Sequence, residues 1–244
     1  KVLEQDPILY GTKKMFSEIA GNADTENMLA EYNAGFKQDM RRFLKSDEGM
    51  ISGAEFHVRR NTGSFGTINY MANQDGFTLY DTVAYNYRHN EANGEDNRDG
   101  SEFNYSWNCG IEGATRKQAI RKMREQQMRN AFLMLLLSQG TPMIYGGDEF
   151  ANSQVGNNNA WCQDNAVGWT DWKNAKKQEN LSTFVKEAIA FRKKHPILHM
   201  PQEMRGVDYM AKGFPDISVH VERAWFLNRD NTSRLLGVMY CGSY

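Results

Sequence analysis

The chain repeats a unit in which a short apolar segment of strand length leads into a polar loop and then into an amphipathic helix. In its clearest copy, residues 67–72 are mostly apolar and strand-forming, and Asn73, Gln74 and Asp75 follow them at once. Parallel barrels present catalytic side chains at the C-terminal ends of their strands in this way. The alternative is that Asp75 and Gly76 form an ordinary turn, because so short a motif also occurs by chance.

Four segments of the chain have the strand pattern. They are Lys14–Glu18, which we favour over the neighbouring Pro7–Tyr10, then Met28–Tyr32, residues 67–73 and Pro142–Tyr145. Helical patterns or polar loops separate them, and polar residues stand where the strands end. This alternation predicts an α/β fold with a parallel sheet.

The spacing of apolar residues predicts the helices. Asn33 can cap a helix that buries Phe36, and a short helix is expected near residues 53–58. Thr115–Gln118 has the form of a capping box for a long helix that ends at Ser138. A last helix ends before Pro196. Its apolar face consists of Leu181, Phe184, Val185, Ala188 and Phe191.

The number of strands predicts half of a (β/α)8 barrel. A complete barrel needs about 250 residues without long loops or a tail, and the 244 residues here include both. We expect residues 1–200 to form the second half of a barrel. Residues 201–244 would form the barrel exit and the first strands of an antiparallel β-domain, at Asp216–Glu222 and Arg234–Tyr240. Half a barrel has two open sheet edges, so the missing strands would come from another chain or from a segment outside this sequence.

Charge and cysteine content exclude several classes of protein. The 29 Lys and Arg residues nearly balance the 30 Asp and Glu residues, which argues against a dedicated surface for nucleic acid or an anionic membrane. The longest apolar run, Ala131–Leu137, is too short to span a bilayer, and the N-terminus lacks the features of a signal peptide. Cys109, Cys162 and Cys241 are too widely spaced for a metal motif or a disulfide framework. These features favour a cytoplasmic protein, with secretion left open.

Carboxylates and aromatic residues suggest the chemistry. Glu18, Asp75 and the Asp148–Glu149 pair stand at predicted strand ends, and glycoside hydrolysis needs one protonated and one ionised carboxyl group in a single cleft. The alternative for Asp148 is structural, with hydrogen bonds to loop amides. Aromatic residues make up 12% of the chain. Several lie in predicted loops, where they can stack on sugars or, as is commoner, pack the loops against the core.

Four motifs closely resemble the glycogen-debranching, isoamylase-type members of the α-amylase superfamily. They are Asn73–Leu79, His89–Gly100, Gly140–Phe150 and Gly156–Asn165. The resemblance covers most of residues 28–244. It implies that the chain holds about strands five to eight of the catalytic barrel. It also implies retaining hydrolysis of α-1,6 branch linkages in glycogen, amylopectin or pullulan.

The resemblance also implies roles for particular residues. The family has its nucleophile on the fourth strand, which is expected to lie outside this chain, its general acid on the fifth and a transition-state-stabilising aspartate on the seventh. Asp75 matches the last of these. Glu18 is the candidate general acid, although a rival alignment puts Thr12 at that position. The substrate-binding candidates are Gln74, Phe77, Asp148, Asn158, Trp161 and Asp164.

Two departures from the family pattern leave a second function open. Gln74 stands where the family normally has histidine, and glutamine can donate a hydrogen bond but cannot carry a charge. Ile19 and Ala20 replace the pair that usually follows the acid. The alternative is therefore a non-catalytic homologue that binds or regulates α-glucan. The motif set argues against an unrelated structural domain. No cofactor is expected; calcium is possible, but the sequence shows no site for it or for any other metal.

Overall fold

Four short strands form a parallel sheet, as the strand–loop–helix repeat predicts. The computed structural model describes residues 2–3, 30–62 and 66–244. In these ranges the strands are β1 (Val2–Leu3), β2 (Ala30–Tyr32), β3 (Gly66–Tyr70) and β4 (Thr141–Met143). They lie side by side in the order β1-β2-β3-β4, and every neighbouring pair is parallel. The predicted α/β class with a parallel sheet is confirmed.

The strands differ in detail from those predicted. Lys14–Glu18 and Pro7–Tyr10 lie outside the described residues, and the strand nearest the N-terminus is β1. The predicted strand Pro142–Tyr145 starts one residue earlier, at Thr141, and is half exposed rather than buried. β4 is last in the order of the described sheet, and proline is tolerated at a sheet edge because its missing N–H removes no ladder bond there.

The described helices are α1 (Ala34–Leu44), α2 (Ile51–Arg59), α3 (Leu79–Thr82), α4 (Gln118–Leu137), α5 (Trp172–Lys177) and α6 (Glu179–Lys194). The predicted cap of α1 is confirmed, since the Asn33 side chain accepts a hydrogen bond from the Phe36 amide at 3.1 Å. The capping box before α4 is wrong. The Thr115 hydroxyl accepts from the Lys117 amide instead, at 3.2 Å, so it stabilises a turn that precedes the helix.

The inner face of α6 is the one predicted, except at its end. Leu181, Val185 and Ala188 are buried, whereas Phe191 is 52% exposed. A helix turns by about 100° per residue, so position 192 returns to the line of Leu181 and position 191 does not. Arg192 takes the buried place, and its guanidinium donates to three backbone carbonyls near the start of β4.

A separate two-stranded sheet follows the helices. β5 (Ile217–His220) and β6 (Gly237–Tyr240) are antiparallel, as predicted. The Tyr240 hydroxyl donates to the Leu137 carbonyl at 2.6 Å, which fastens the hairpin to the end of α4. The division of the chain at residue 200 stays a prediction. No helix in the described ranges combines the length and the apolar character needed to cross a bilayer.

Arg124 organises the long polar loop ahead of α4. Its side chain is buried in the described part of the protein. The guanidinium donates to the carbonyls of Gly113 at 2.7 Å, Asn108 at 3.0 Å and Ala84 at 3.4 Å, and also to that of Ile111. One side chain therefore satisfies backbone groups that have no sheet or helix to pair with.

We expect Arg124→Met to lower the free energy of unfolding by about 3 kcal/mol or more, because several buried carbonyls lose their donor. Denaturant unfolding followed by circular dichroism measures the change. The control is Arg121→Met, which removes an exposed arginine one turn earlier and should change stability by no more than about 0.5 kcal/mol. Equal losses in the two variants would contradict the structural role of Arg124.

Candidate active site

The exit of β3 carries the polar triplet that the sequence singles out. Asn73 is buried, while Gln74 and Asp75 are exposed. Lys37 reaches this exit from the first turns of α1. Its ammonium donates to Asn73 Oδ1 at 3.3 Å and to the Asp75 carbonyl at 3.1 Å. The exit of β3 thus has a cation from α1 bound to the backbone of the exposed Asp75.

Lys37 was not among the predicted site residues. Its ammonium also lies 5.6 Å from the centre of the Tyr70 ring. Burial and the nearby charge of Arg41 lower the pKa of Lys37 to about 8, while Asp75 acts in the opposite direction. The sequence could have identified Lys37 from its position four residues after the cap residue Asn33. A helix that follows a parallel strand starts at the carboxyl edge of the sheet, so its first turns lie near the site.

A second cation, Arg41, lies beneath the exit of β3 and is buried. Its guanidinium donates to the carbonyls of Met71 at 2.6 Å, Asn104 at 3.0 Å and Phe77 at 3.1 Å. Burial lowers the pKa of Arg41 to about 10, and the charge of Asp148 opposes the shift. Arg41 therefore joins both sides of the β3 exit to the long loop.

Three of the predicted substrate-binding residues lie inside the protein. Phe77 is 0% exposed, Asn158 1% and Asp148 3%. Asp148 Oδ1 accepts a hydrogen bond from the Leu79 amide at 2.9 Å, which is the structural alternative left open above. A side chain with almost no accessible surface cannot contact a sugar. These three residues therefore support the site from inside the protein instead of making the predicted direct contact with substrate. The sequence pattern identified the motifs but not which of their side chains are exposed.

Asn158 connects the two long loops to the catalytic candidate. Its side-chain oxygen accepts from the Asn90 amide group at 2.8 Å, and its own amide group donates to Asn104 Oδ1 at 2.8 Å. The Asn158 carbonyl accepts from the Gly76 amide at 3.2 Å, directly after Asp75. The asparagine-rich motifs therefore form one hydrogen-bonded unit that supports the β3 exit.

Asp81 anchors the second loop to α3 and is fully buried. Its carboxylate accepts from the Ser153 hydroxyl at 2.5 Å, the Gln154 amide at 2.8 Å and the Gly156 amide at 3.4 Å. Burial raises the pKa of Asp81 to about 6, although these hydrogen bonds act to lower it. The Asp81 carboxyl group thus bonds the start of the loop that carries the Gly156–Asn165 motif to α3.

The remaining predicted site residues are at the surface or outside the described ranges. Trp161 is 85% exposed. Asp164 is exposed and accepts a hydrogen bond from Trp169 Nε1 at 2.9 Å. Their contact with glucan stays a prediction. Glu18 and the alternative Thr12 lie outside the described residues.

The first long loop borders a cavity, and the described residues contain no metal-binding cluster. A cavity of about 370 Å³ lies against the first long loop, and it is lined by Asn86, Tyr87, Arg88, Asn97, Glu102 and Asn104. Within residues 30–62 and 66–244, the His, Cys, Asp and Glu side chains form no cluster of three or more that could hold a metal ion. The question of calcium stays open.

The Asp148 carboxyl should make stability depend on pH. Burial raises its pKa from 3.8 to about 7. Between about pH 4 and pH 7 the folded protein keeps a proton that the unfolded chain has released, so this group's contribution to stability falls as the pH rises. Asp148→Asn, which stays neutral, should therefore lose less stability than the parent between pH 4 and pH 8, by on the order of a few kcal/mol.

Denaturant unfolding at a series of pH values measures this difference. Asp96→Asn is the control, because the Asp96 side chain is 85% exposed, and its curve should run parallel to that of the parent. Superimposable curves for Asp148→Asn and the parent would contradict the raised pKa.

Sequence comparison finds curated relatives of the chain, although no family model matches it. It is 41% identical over 222 residues to the glycogen operon protein GlgX homolog of Mycobacterium tuberculosis, a match that covers 84% of this chain and 30% of the relative. It is 41% identical over 188 residues to the glycogen debranching enzyme of Dickeya chrysanthemi, covering 74% and 28%. It is 35% identical over 209 residues to the maize isoamylase SU1, covering 79% and 26%.

Solved structures share the fold. The pullulanase of Bacillus acidopullulyticus has a TM-score of 0.56 at 17% identity, covering 82% of this chain and 26% of that one. The pullulanase of Paenibacillus barengoltzii in complex with maltohexaose and alpha-cyclodextrin has a TM-score of 0.51 at 19% identity, covering 74% and 27%. The chain spans at most about 30% of the length of the curated relatives given above. The chain is therefore similar in sequence to part of the proteins named as GlgX homolog, isoamylase and glycogen debranching enzyme.

Proposed function

We propose that this chain forms part of an enzyme that hydrolyses α-1,6 branch linkages in glycogen-type glucans. The observation that carries the proposal is the exit of β3, where Asp75 is exposed at the carboxyl edge of a parallel sheet beside Lys37. That edge is where barrel enzymes place their catalytic groups. Relatives named as isoamylase and glycogen debranching enzyme support the choice of reaction.

In the proposed mechanism the enzyme works with retention of configuration. One carboxyl group attacks the anomeric carbon, and a second protonates the leaving oxygen and later activates water. Asp75 accepts hydrogen bonds from sugar hydroxyls and stabilises the distorted ring of the transition state. The Gln74 amide donates to the same sugar. Lys37 is a positioning residue, because its ammonium binds the backbone of Asp75 rather than its carboxylate.

The order of the strands suggests a new candidate for the general acid. β1 lies two places before β3 in the sheet. If β3 is taken as the seventh barrel strand, β1 is the fifth, which carries the acid in the family that this chain resembles. β1 ends at Leu3, and the next residue in the chain is Glu4. We therefore prefer Glu4 to Glu18 on chain position, and both lie outside the described residues.

The nucleophile is proposed to come from outside this chain. The relatives are more than three times as long as the segment they share with it, since the match covers 30% or less of each. Barrel strands one to four, with the nucleophile on the fourth, would be supplied by another chain or by another segment. The proposed substrates are glycogen, amylopectin and pullulan. The proposed assembly is the complete barrel, located in the cytoplasm.

Gln74 favours one alternative, a homologue that binds glucan without cutting it. Glutamine cannot supply the charge that histidine can provide at this position. Under this alternative the glucan still binds at the β3 exit. Reducing ends would not appear from pullulan even when the barrel is complete.

We expect Asp75→Asn in the completed enzyme to lower the release of reducing ends from pullulan by at least about a hundredfold, because a charge that stabilises the transition state is removed. The melting temperature should change little, since Asp75 is exposed. Asp230→Asn, at another exposed aspartate, is the control and should keep its activity. Near-normal turnover by Asp75→Asn would count against the assignment.

Glu4→Gln and Glu18→Gln separate the two candidates for the acid. Glu4→Gln should abolish hydrolysis of pullulan yet keep activity on an aryl α-glucoside whose leaving group needs no protonation. Glu18→Gln should keep both activities. The opposite pattern would assign the acid to Glu18, and loss of neither activity would show that neither glutamate is the acid. Absence of pullulan hydrolysis by the completed parent enzyme would favour the glucan-binding alternative.

A further inference from the structure

A second cavity, of about 270 Å³, lies between α2 and the β5–β6 hairpin. It shares no lining residue with the β3 exit or with the cavity beside the first long loop. Helix α2, the turn at residues 205–206, strand β5 and the β5–β6 connection each supply part of its wall. The polar and aromatic members of the lining are Glu55, Arg59, Arg205, Ser218 and Trp225.

Trp225 presents an exposed flat ring in this lining. It is 57% exposed, and its φ of 64° lies in the left-handed region, where a bulky aromatic residue is strained. The Trp225 amide donates to His220 Nδ1 at 2.7 Å. The indole packs edge-on against His220 and runs parallel to the Phe214 ring, with centroids 6.3 Å apart. Strain of this kind is retained when surrounding contacts enforce it, and it is concentrated at ligand sites.

Arg59 also lines the cavity, and its side chain is 39% exposed. Its Nε is buried and has no hydrogen-bond partner among the described residues. The nearest carboxylate oxygen paired with it, Glu203 Oε1, is 3.9 Å away, which is too far for a hydrogen bond. The exposed part of the Arg59 guanidinium group, rather than the buried Nε, is therefore the part that can donate to a ligand in the cavity.

Hydrogen bonds within the protein hold the walls of the cavity in place. The Asp216 carboxylate accepts from the amides of Arg205 and Gly206, both at 2.8 Å, and so sets the turn beside Arg59. Glu55 is held by Arg229 at 2.8–3.2 Å. Such preorganisation lowers the entropy that binding must overcome.

We propose that this cavity is a second glucan site that binds an α-1,4-linked malto-oligosaccharide chain. One sugar stacks its apolar face on Trp225, and a hydroxyl oxygen accepts a hydrogen bond from the Arg59 guanidinium group. Acidic and basic side chains both line or border the cavity, so a neutral ligand suits it better than an anion. The choice of glucan rests on the proposed function, whereas the existence of the site rests on the geometry described here.

Titration of the full chain with maltoheptaose, followed by calorimetry and by migration in glycogen-containing gels, tests the site. Trp225→Gly removes the ring and suits the positive φ, and it should weaken binding by about tenfold, or about 1.4 kcal/mol. Arg59→Met should also weaken it. Phe226→Ala is the matched control, because Phe226 is the next residue and is 50% exposed but does not line the cavity.

Unchanged affinity in Trp225→Gly would overturn the proposal. So would binding of inorganic phosphate that depends on Arg59 when maltoheptaose does not bind, because that would define an anion site. The Asp75→Asn variant should keep the part of its glucan affinity that depends on Trp225. Failure of hydrolysis and failure of this second site are thus seen in different measurements.

Discussion

The buried guanidinium of Arg41 is the interaction on which the β3 exit depends. It donates to carbonyls on both sides of the Asn73–Asp75 triplet and to a third in the long loop. In the described ranges, the residues that carry these carbonyls lie in no strand or helix, and an unpaired buried carbonyl is costly. The exposed carboxylate of Asp75 therefore belongs to a turn whose flanking backbone is bound by the buried Arg41 side chain.

The same solution recurs wherever the chain leaves regular structure. Arg124 satisfies several loop carbonyls, Arg192 satisfies carbonyls at the C-terminal end of α4, and Asp81 and Asp216 each satisfy loop amides. Burying a charge is unfavourable unless it is fully hydrogen-bonded. This is why burial raises the pKa of Asp81 and Asp148 and lowers that of Arg41. Desolvation of these charged side chains is unfavourable, and the hydrogen bonds that they form fix the shape of the loops.

Periodicity and end signals made much of the fold predictable. The parallel sheet, the cap at Asn33, the inner face of α6 as far as Ala188 and the β5–β6 hairpin all follow from local patterns. The buried arginines could not be predicted, because a charged residue on a helix normally faces water. For the same reason Phe191 was expected inside in place of Arg192. Asp148 and Asn158 are buried with contacts across more than 60 residues of sequence, which periodicity does not record.

The hydrogen bonds of Asn158 restrict how the two long loops beside the exit of β3 can move. Its side chain joins both long loops, and its carbonyl holds the Gly76 amide. A displacement of either loop by an entering polysaccharide would pull on the backbone next to Asp75. The two loops and the Asp75 carboxylate should therefore move together as one rigid unit. An insertion in one loop would disturb the reacting centre unless the other loop adjusted with it.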